Sequence, residues 1–220
     1  MIKNLYDFIK IVDEYIIYLN GKIKFSHNGY PIFEKEFFLE KEPSLIIPFY
    51  HRNNKIVIDP NLTVISFYSS DEFLYRRLER VFKDLDEYER FAGVSGLDLT
   101  VTADMDLEWQ DFILLANYVF DAILAVNGIK IVANIRIGGS ENTKSLLSIP
   151  KNVLCSAGFL GCDKIRDEKD YSFAAKVLTI MPSHLLIYGK HDSIAEKQLS
   201  ILGISYQNYR DFHQLSKEGL

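Results

Sequence analysis

The chain has 220 residues, with Lys+Arg 25 against Asp+Glu 30 for a formal net charge of −5. Hydrophobic residues make up 48% and charged residues 25%, the proportions of a packed globular protein and not of a disordered one. The acidic balance excludes a generally basic nucleic-acid coat and leaves only local basic patches; a compact, soluble, intracellular protein of one to two domains is expected.

No uninterrupted apolar run approaches the ~20 residues of a spanning helix. The greasiest stretch, around Phe112–Val126, is broken by Asn117 and Asp121, so no membrane association is expected. Asp7, Asp13 and Glu14 do not suit a secretory h-region; no signal peptide and a cytoplasmic location in the host cell are expected. Cys155 and Cys162 fit neither a CxxC pair nor a four-ligand zinc set and read as reduced thiols.

Taken in chain order, Ile2, Leu5, Tyr6, Ile9, Val12, Ile16 and Leu19 recur at helical spacing and predict an amphipathic helix ending at Asn20-Gly21. Lys22–Phe25 and Ile32–Phe38, around an Asn28-Gly29 turn, predict a hairpin. From Pro43 onward strand and helix alternate. Strands are predicted at Leu45–Tyr50, Leu62–Tyr68, Leu97–Thr102, Ile129–Ile135, Val153–Ala157, Leu185–Tyr188 and Ile204–Tyr206. Helices are predicted through Phe73–Phe82, Leu107–Val126, Thr143–Leu147, Tyr171–Ile180 and Ile194–Leu202. Strands joined by helices demand crossovers, which make neighbouring strands parallel and bury both faces. The expected class is therefore α/β with a mostly parallel sheet, either open and doubly wound or a partial (β/α) barrel. A helix–hairpin extension over residues 1–44 precedes the α/β domain over 45–220.

In such folds ligands gather beyond the C-terminal strand ends, where loops converge and helix N-termini point. Residues there include Asp98, Asn134, Arg136, Gly138, Gly158, Gly161 and Lys190. Arg136 suits a phosphate or carboxylate, gripped bidentately, and Asp98 is the candidate acid/base or catalytic residue. Asn134, Arg136, Gly138, Gly158, Gly161 and Lys190 are the candidate ligand-binding set, the glycines allowing close backbone approach. Asp104 and Asp106 are weak metal candidates, with helix capping as the competing reading. Tight turns would equally explain the glycines, and a structural polar network would equally explain Asp98 with Asn134 and Arg136. No P-loop, GxGxxG, HExxH or GxSxG motif occurs, and His27, His51, His184, His191 and His213 lack ligand spacing; no cofactor and no resident metal are expected.

These residues carry a resemblance. Asp98-Leu99-Thr100, Asp104-Met105, Gln110, Asn117, Gly128-Ile129-Lys130, Asn134-Ile135-Arg136, Gly138, Ile149-Pro150-Lys151-Asn152, Gly158, Gly161-Cys162 and Ile187-Tyr188-Gly189 follow one another in order. Over about residues 62–190 the chain resembles an uncharacterised domain-of-unknown-function family common in phages, prophages and plectrovirus-related elements of Gram-positive bacteria and mollicutes. The resemblance implies a compact α/β domain in a mobile-element setting, with no activity to inherit. Ala116 and Tyr118 stand where the family has arginines, Ile137 and Gly139 where it has Trp and Asp, and Phe159 where it has a small hydroxyl residue. A preorganised catalytic site fails when its neighbours are incomplete, so this member is expected to have lost or altered any family chemistry.

Two functions follow as expectations. The first is a phage or prophage accessory protein that binds a host, defence or phage protein or other macromolecule as inhibitor or adaptor, its acidic surface suiting a basic target. The alternative is an enzyme or receptor for a small anionic ligand, such as a nucleotide or phosphate, using the strand-end pocket. A direct nucleic-acid role ranks third, because no aromatic-basic stripe is concentrated enough to define one.

Overall fold

In the computed structural model, which describes residues 2–160, 165, 167 and 169–217, the first helix is α1 (Leu5–Leu19). Asn4 caps it, its side chain accepting from the Asp7 N–H at 2.9 Å. The buried face is Phe8, Val12, Tyr15 and Leu19. It packs on the central helix, where the Phe8 ring meets Trp109 and Phe112 edge-on. That face differs from the expected stripe: Leu5, Tyr6 and Ile9 turn outward, and Phe8 and Tyr15 take their place. Val12 and Leu19 lie on the buried face as expected and Ile2 and Ile16 pack at its margin; apolar residues surround so much of this helix that spacing alone leaves the rest of the face undecided. The hairpin is also smaller than expected. Strand β1 (Lys24–Phe25) pairs antiparallel with β2 (Pro31–Ile32), and the chain then enters a 3-10 turn at Lys35–Phe37.

Seven strands form the main sheet: β3 (Leu45–Pro48), β4 (Thr63–Ser66), β5 (Gly93–Ser95), β6 (Ile131–Asn134), β7 (Leu154–Phe159), β8 (His184–Gly189) and β9 (Tyr206–Tyr209). They lie side by side in chain order, and every pairing is parallel. The crossover from β3 to β4 has only 3-10 turns at Phe49–His51 and Pro60–Leu62. The later ones run through α2 (Asp71–Glu79) with α3 (Leu85–Glu89), α4 (Leu107–Val126), a 3-10 stretch at Ser140–Ser148, α5 (Ser172–Ile180) and α6 (Ser193–Ile201), and α7 (Phe212–Lys217) follows the last strand. A parallel sheet that always winds in one direction curls on itself, and here it closes nearly into a barrel. The α/β class is as expected, with the barrel-like form taken in place of the doubly wound one.

The curl creates two cores. Ile46, Val64, Tyr68, Val132, Leu154, Leu186, Tyr188 and Tyr209 fill the concave side, while a larger cluster including Val12, Phe67, Val94, Phe120, Cys155 and Ile187 lies between sheet and helices. In-register neighbours share a face, so Ile46 beside Val64 and Ser156 beside Leu186 point inward together. The edge strands β3 and β9 share no ladder. Their gap is bridged by the Tyr209 hydroxyl, which donates to the Pro43 carbonyl at 2.7 Å, and by His51 lying flat on Phe212 with ring centroids 3.5 Å apart.

Among the described helices, α4 is long and apolar enough, by length and composition, to cross a membrane. In this fold it is the central core helix, and its apolar residues pack against the sheet and α1. Three of its polar side chains, Gln110, Asn117 and Asp121, are buried as well, and what they hold determines the site.

Candidate functional site

The expected strand at Leu97–Thr102 is not a ladder strand. Pairing ends at Ser95, two residues before it. Leu97, Leu99 and Val101 do alternate into the helix-side core, which is why the segment reads as a strand, but its backbone is held by side chains. The Leu97 N–H donates to Asp121 at 3.0 Å and the Leu99 N–H to Asn117 at 3.1 Å, with the Asn117 amide returning to the Leu99 carbonyl at 3.4 Å. The Thr100 N–H and hydroxyl both donate to Asp71, at the start of α2, at 3.0 Å. Asn117 and Asp121 stand one helical turn apart on α4, so a single helix edge fixes the run. The alternation then turns Asp98 the other way, to the end of the barrel where the strands terminate.

There Asp98 meets two residues from the end of β6. The Asn134 amide donates to Asp98 Oδ1 at 2.7 Å, and Arg136 donates to Oδ1 and Oδ2 at 3.1 and 3.2 Å. The ion pair is largely withdrawn from solvent, with side-chain exposures of 21% for Arg136 and 12% for Asp98. Charge-assisted contacts of this kind fix the plane of a guanidinium. The cluster opens onto a cleft of about 330 Å³ that also includes Tyr68, Thr102, Gly138, Gly158, Ser172 and Lys176. The Tyr68 hydroxyl donates to Ser156 at 2.9 Å, and burial, with Asp98 nearby, pushes its pKa upward. Asp170 accepts from the Ser172 N–H at 2.9 Å at the start of α5.

The glycines at this rim are close-approach positions. A Cβ on Gly158 would lie 2.7 Å from the Tyr68 ring, and one on Gly138 would lie 2.2 Å from the Gln110 side-chain oxygen. Gln110 in turn donates to the Met105 carbonyl at 2.6 Å and accepts from the Gly139 N–H at 3.0 Å, which ties the two rim loops together.

Asp98, Asn134, Arg136, Gly138 and Gly158 are therefore brought together. Lys190 is not: its N–H donates to the Phe159 carbonyl at 2.9 Å, but its side chain is exposed and lines neither this cleft nor the one described below. Gly161, with Cys162, lies outside the described residues. Asp104 and Asp106 are exposed; Asp104 accepts from Thr102, and Asp106 stands at the start of α4 without a side-chain cap bond. Among the described residues no three His, Cys, Asp or Glu side chains cluster as metal ligands. Ile137 and Phe159 line the cleft, while Ala116 and Tyr118 are buried in the core. Tyr68 and Lys176 are functional candidates that strand-end reading misses. Tyr68 closes the strand predicted over Leu62–Tyr68 and reads there as a core residue, and Lys176 stands a turn inside α5, away from any strand end.

A family model described as Domain of unknown function (DUF4417) matches residues 28–209. The chain belongs to this family. The DUF4417 region is wider than the 62–190 stretch that carries the sequence resemblance: it takes in the hairpin's second strand and all seven strands of the sheet, and it contains the whole cleft. Helix α1 precedes it. No curated protein and no solved structure matches the chain.

Proposed function

We propose that this protein binds a small anionic ligand, bearing a phosphate or carboxylate group, at the mouth of its barrel. The observation that carries the reading is the convergence of Asp98, Asn134 and Arg136, from two separate strand ends, on a solvent-open cleft of about 330 Å³. That size suits a small metabolite. Arg136 supplies a planar donor array for an oxyanion. Asp98 and Asn134 set its orientation, and Lys176 adds a second cation on the α5 side. Asp98 acts here as a positioning residue, through the guanidinium it holds. Ile137 and Phe159 make part of the wall apolar, which strengthens the electrostatic contacts that remain.

The test is calorimetric titration with inorganic phosphate. Wild type is expected to bind it saturably. Arg136→Ala is expected to weaken binding at least about tenfold, the loss of one charge-assisted hydrogen bond or more. Lys176→Ala, at a position less embedded in the fold, gives an independent reading in the same direction. Absence of saturable binding by wild type, or equal affinity in wild type and both variants, contradicts the proposal.

A second reading, docking on a macromolecular partner as a phage or prophage accessory protein in the host cytoplasm, is supported by α1. Leu5, Tyr6, Ile9 and Ile17 fall on one outward side of that helix, with Tyr6 and Ile17 each 74% exposed. Deleting residues 1–44 would remove Phe8, Val12 and Leu19 from the main core, so surface substitution is the cleaner probe. Tyr6→Lys with Ile17→Lys is expected to abolish retention of a partner from host lysate while leaving phosphate binding intact. Equal retention by wild type and variant contradicts this second reading.

A further inference from the structure

A second cleft, of about 260 Å³, opens at the same end of the barrel across the seam between β3 and β9. Its walls are unusually rich in rings: Tyr50, His51, Tyr68, Tyr188, Phe212 and His213. The rings are fixed by their own contacts. His51 lies on Phe212 with a 10° interplanar angle, Tyr50 stands edge-on to His51 at 5.2 Å, and Tyr68 stacks on Tyr188 at 5.5 Å. The Phe212 N–H donates to the Tyr188 hydroxyl at 3.1 Å. The Asp211 N–H donates to the Gln214 side-chain oxygen at 3.1 Å and the Gln214 N–H to the Asp211 carboxylate at 2.8 Å, which holds Phe212 and His213 in place at the start of α7.

Flat aromatic walls recognise flat aromatic ligands, because stacking rewards any planar π system of matching size. Ser69 and Asp211 are the polar groups beside those rings, suited to the hydrogen-bonding edge of a heterocycle. Burial, and next the nearby His213, lowers the pKa of His51, which favours the neutral imidazole and an uncharged ring beside it over a second anion. Tyr68 lines both clefts. The anion cleft and the ring cleft are thus neighbours that share one tyrosine.

We infer that the ligand is a nucleoside monophosphate, with its base in the aromatic cleft at the seam and its phosphate in the Arg136 cleft. This rests on the anion-site reading above and adds the base site to it. Tyr68 is then the wall over which the sugar passes.

The experiment is calorimetric titration of the full chain with inorganic phosphate, ribose 5-phosphate and the four nucleoside 5′-monophosphates of RNA. At least one nucleotide is expected to bind about tenfold or more tightly than ribose 5-phosphate, the gain of one stacked base. Tyr50→Ala, at a 74% exposed position whose loss leaves the core intact, and Phe212→Leu are expected to remove most of that preference. Both should leave the affinity for ribose 5-phosphate unchanged. Equal affinity of wild type for nucleotides and ribose 5-phosphate, with phosphate binding present, overturns the base site and leaves the anion site standing. A preference that survives both substitutions also overturns it. Absence of phosphate and ribose 5-phosphate binding removes the anion site and this inference with it.

Discussion

Asn117→Leu is expected to lower the free energy of unfolding by about 2–5 kcal/mol, the cost of leaving two buried backbone groups without partners. Asn117 is 5% exposed in the middle of α4, and its amide serves both the N–H and the carbonyl of Leu99. Leucine conserves volume but offers neither donor nor acceptor. The loss is local in origin and reaches the site, because the released segment is the one that presents Asp98 to Asn134 and Arg136. Urea unfolding reads the stability. Phosphate titration, at a temperature where the variant remains folded, is expected to detect weakened binding although residue 117 does not line the cleft. Stability and binding both equal to wild type would contradict this role for Asn117.

Asp121 yields the second large effect. Its carboxyl is buried against the segment following β5, and burial pushes its pKa up from 3.8 to about 8, only partly offset by the Leu97 N–H it accepts. The folded pKa is raised above the unfolded one, so the folded state favours the protonated acid. The stability associated with that proton is fully present below about pH 4 and is lost progressively as pH rises toward about 8. An asparagine in place of the acid mimics the protonated form and does not titrate. Asp121→Asn is therefore expected to become more stable than wild type as pH rises across that window, by an amount of the order of 5 kcal/mol at the upper end. Near pH 4 the two proteins should be similar. Chemical unfolding at a series of pH values from about 4 to about 9 measures the difference, in which the other titrating groups cancel. Parallel stability curves for the two proteins would contradict the assignment.

Much of the scaffold is legible in the residues themselves. The alternation of apolar runs with amphipathic stretches from Leu45 onward predicts crossovers, hence parallel strands, hence a ligand site at their C-terminal ends; Asp98, Asn134 and Arg136 meet there. The boundaries of α4 are also readable, since Leu107–Val126 is bounded by Asp106 and by Asn127-Gly128. Other features depend on partners distant in sequence. Leu97, Leu99 and Val101 alternate like a strand, yet their backbone is held by α4 and α2, a tertiary arrangement that spacing does not encode. Closure into a near barrel depends on contacts such as Tyr209 with Pro43, at opposite ends of the sheet. Lys190 follows a strand as Arg136 does, but its side chain is exposed and lines neither cleft, an outcome that position after a strand does not encode. His51, His213 and Phe212 carry no signal as isolated residues and form a ring-lined cleft only once β3 and β9 become neighbours across the seam.

The most direct measurement of the central claim is a phosphate titration of isotope-labelled protein followed by NMR, observing backbone amides and arginine side-chain Nε–H groups. A ligand held at the barrel mouth should give saturable shifts that are largest at the Arg136 side chain and at the amides of Thr102, Gly138 and Ser172. Shifts scattered over surface lysines, or confined to Lys190 with the rim unmoved, would contradict it.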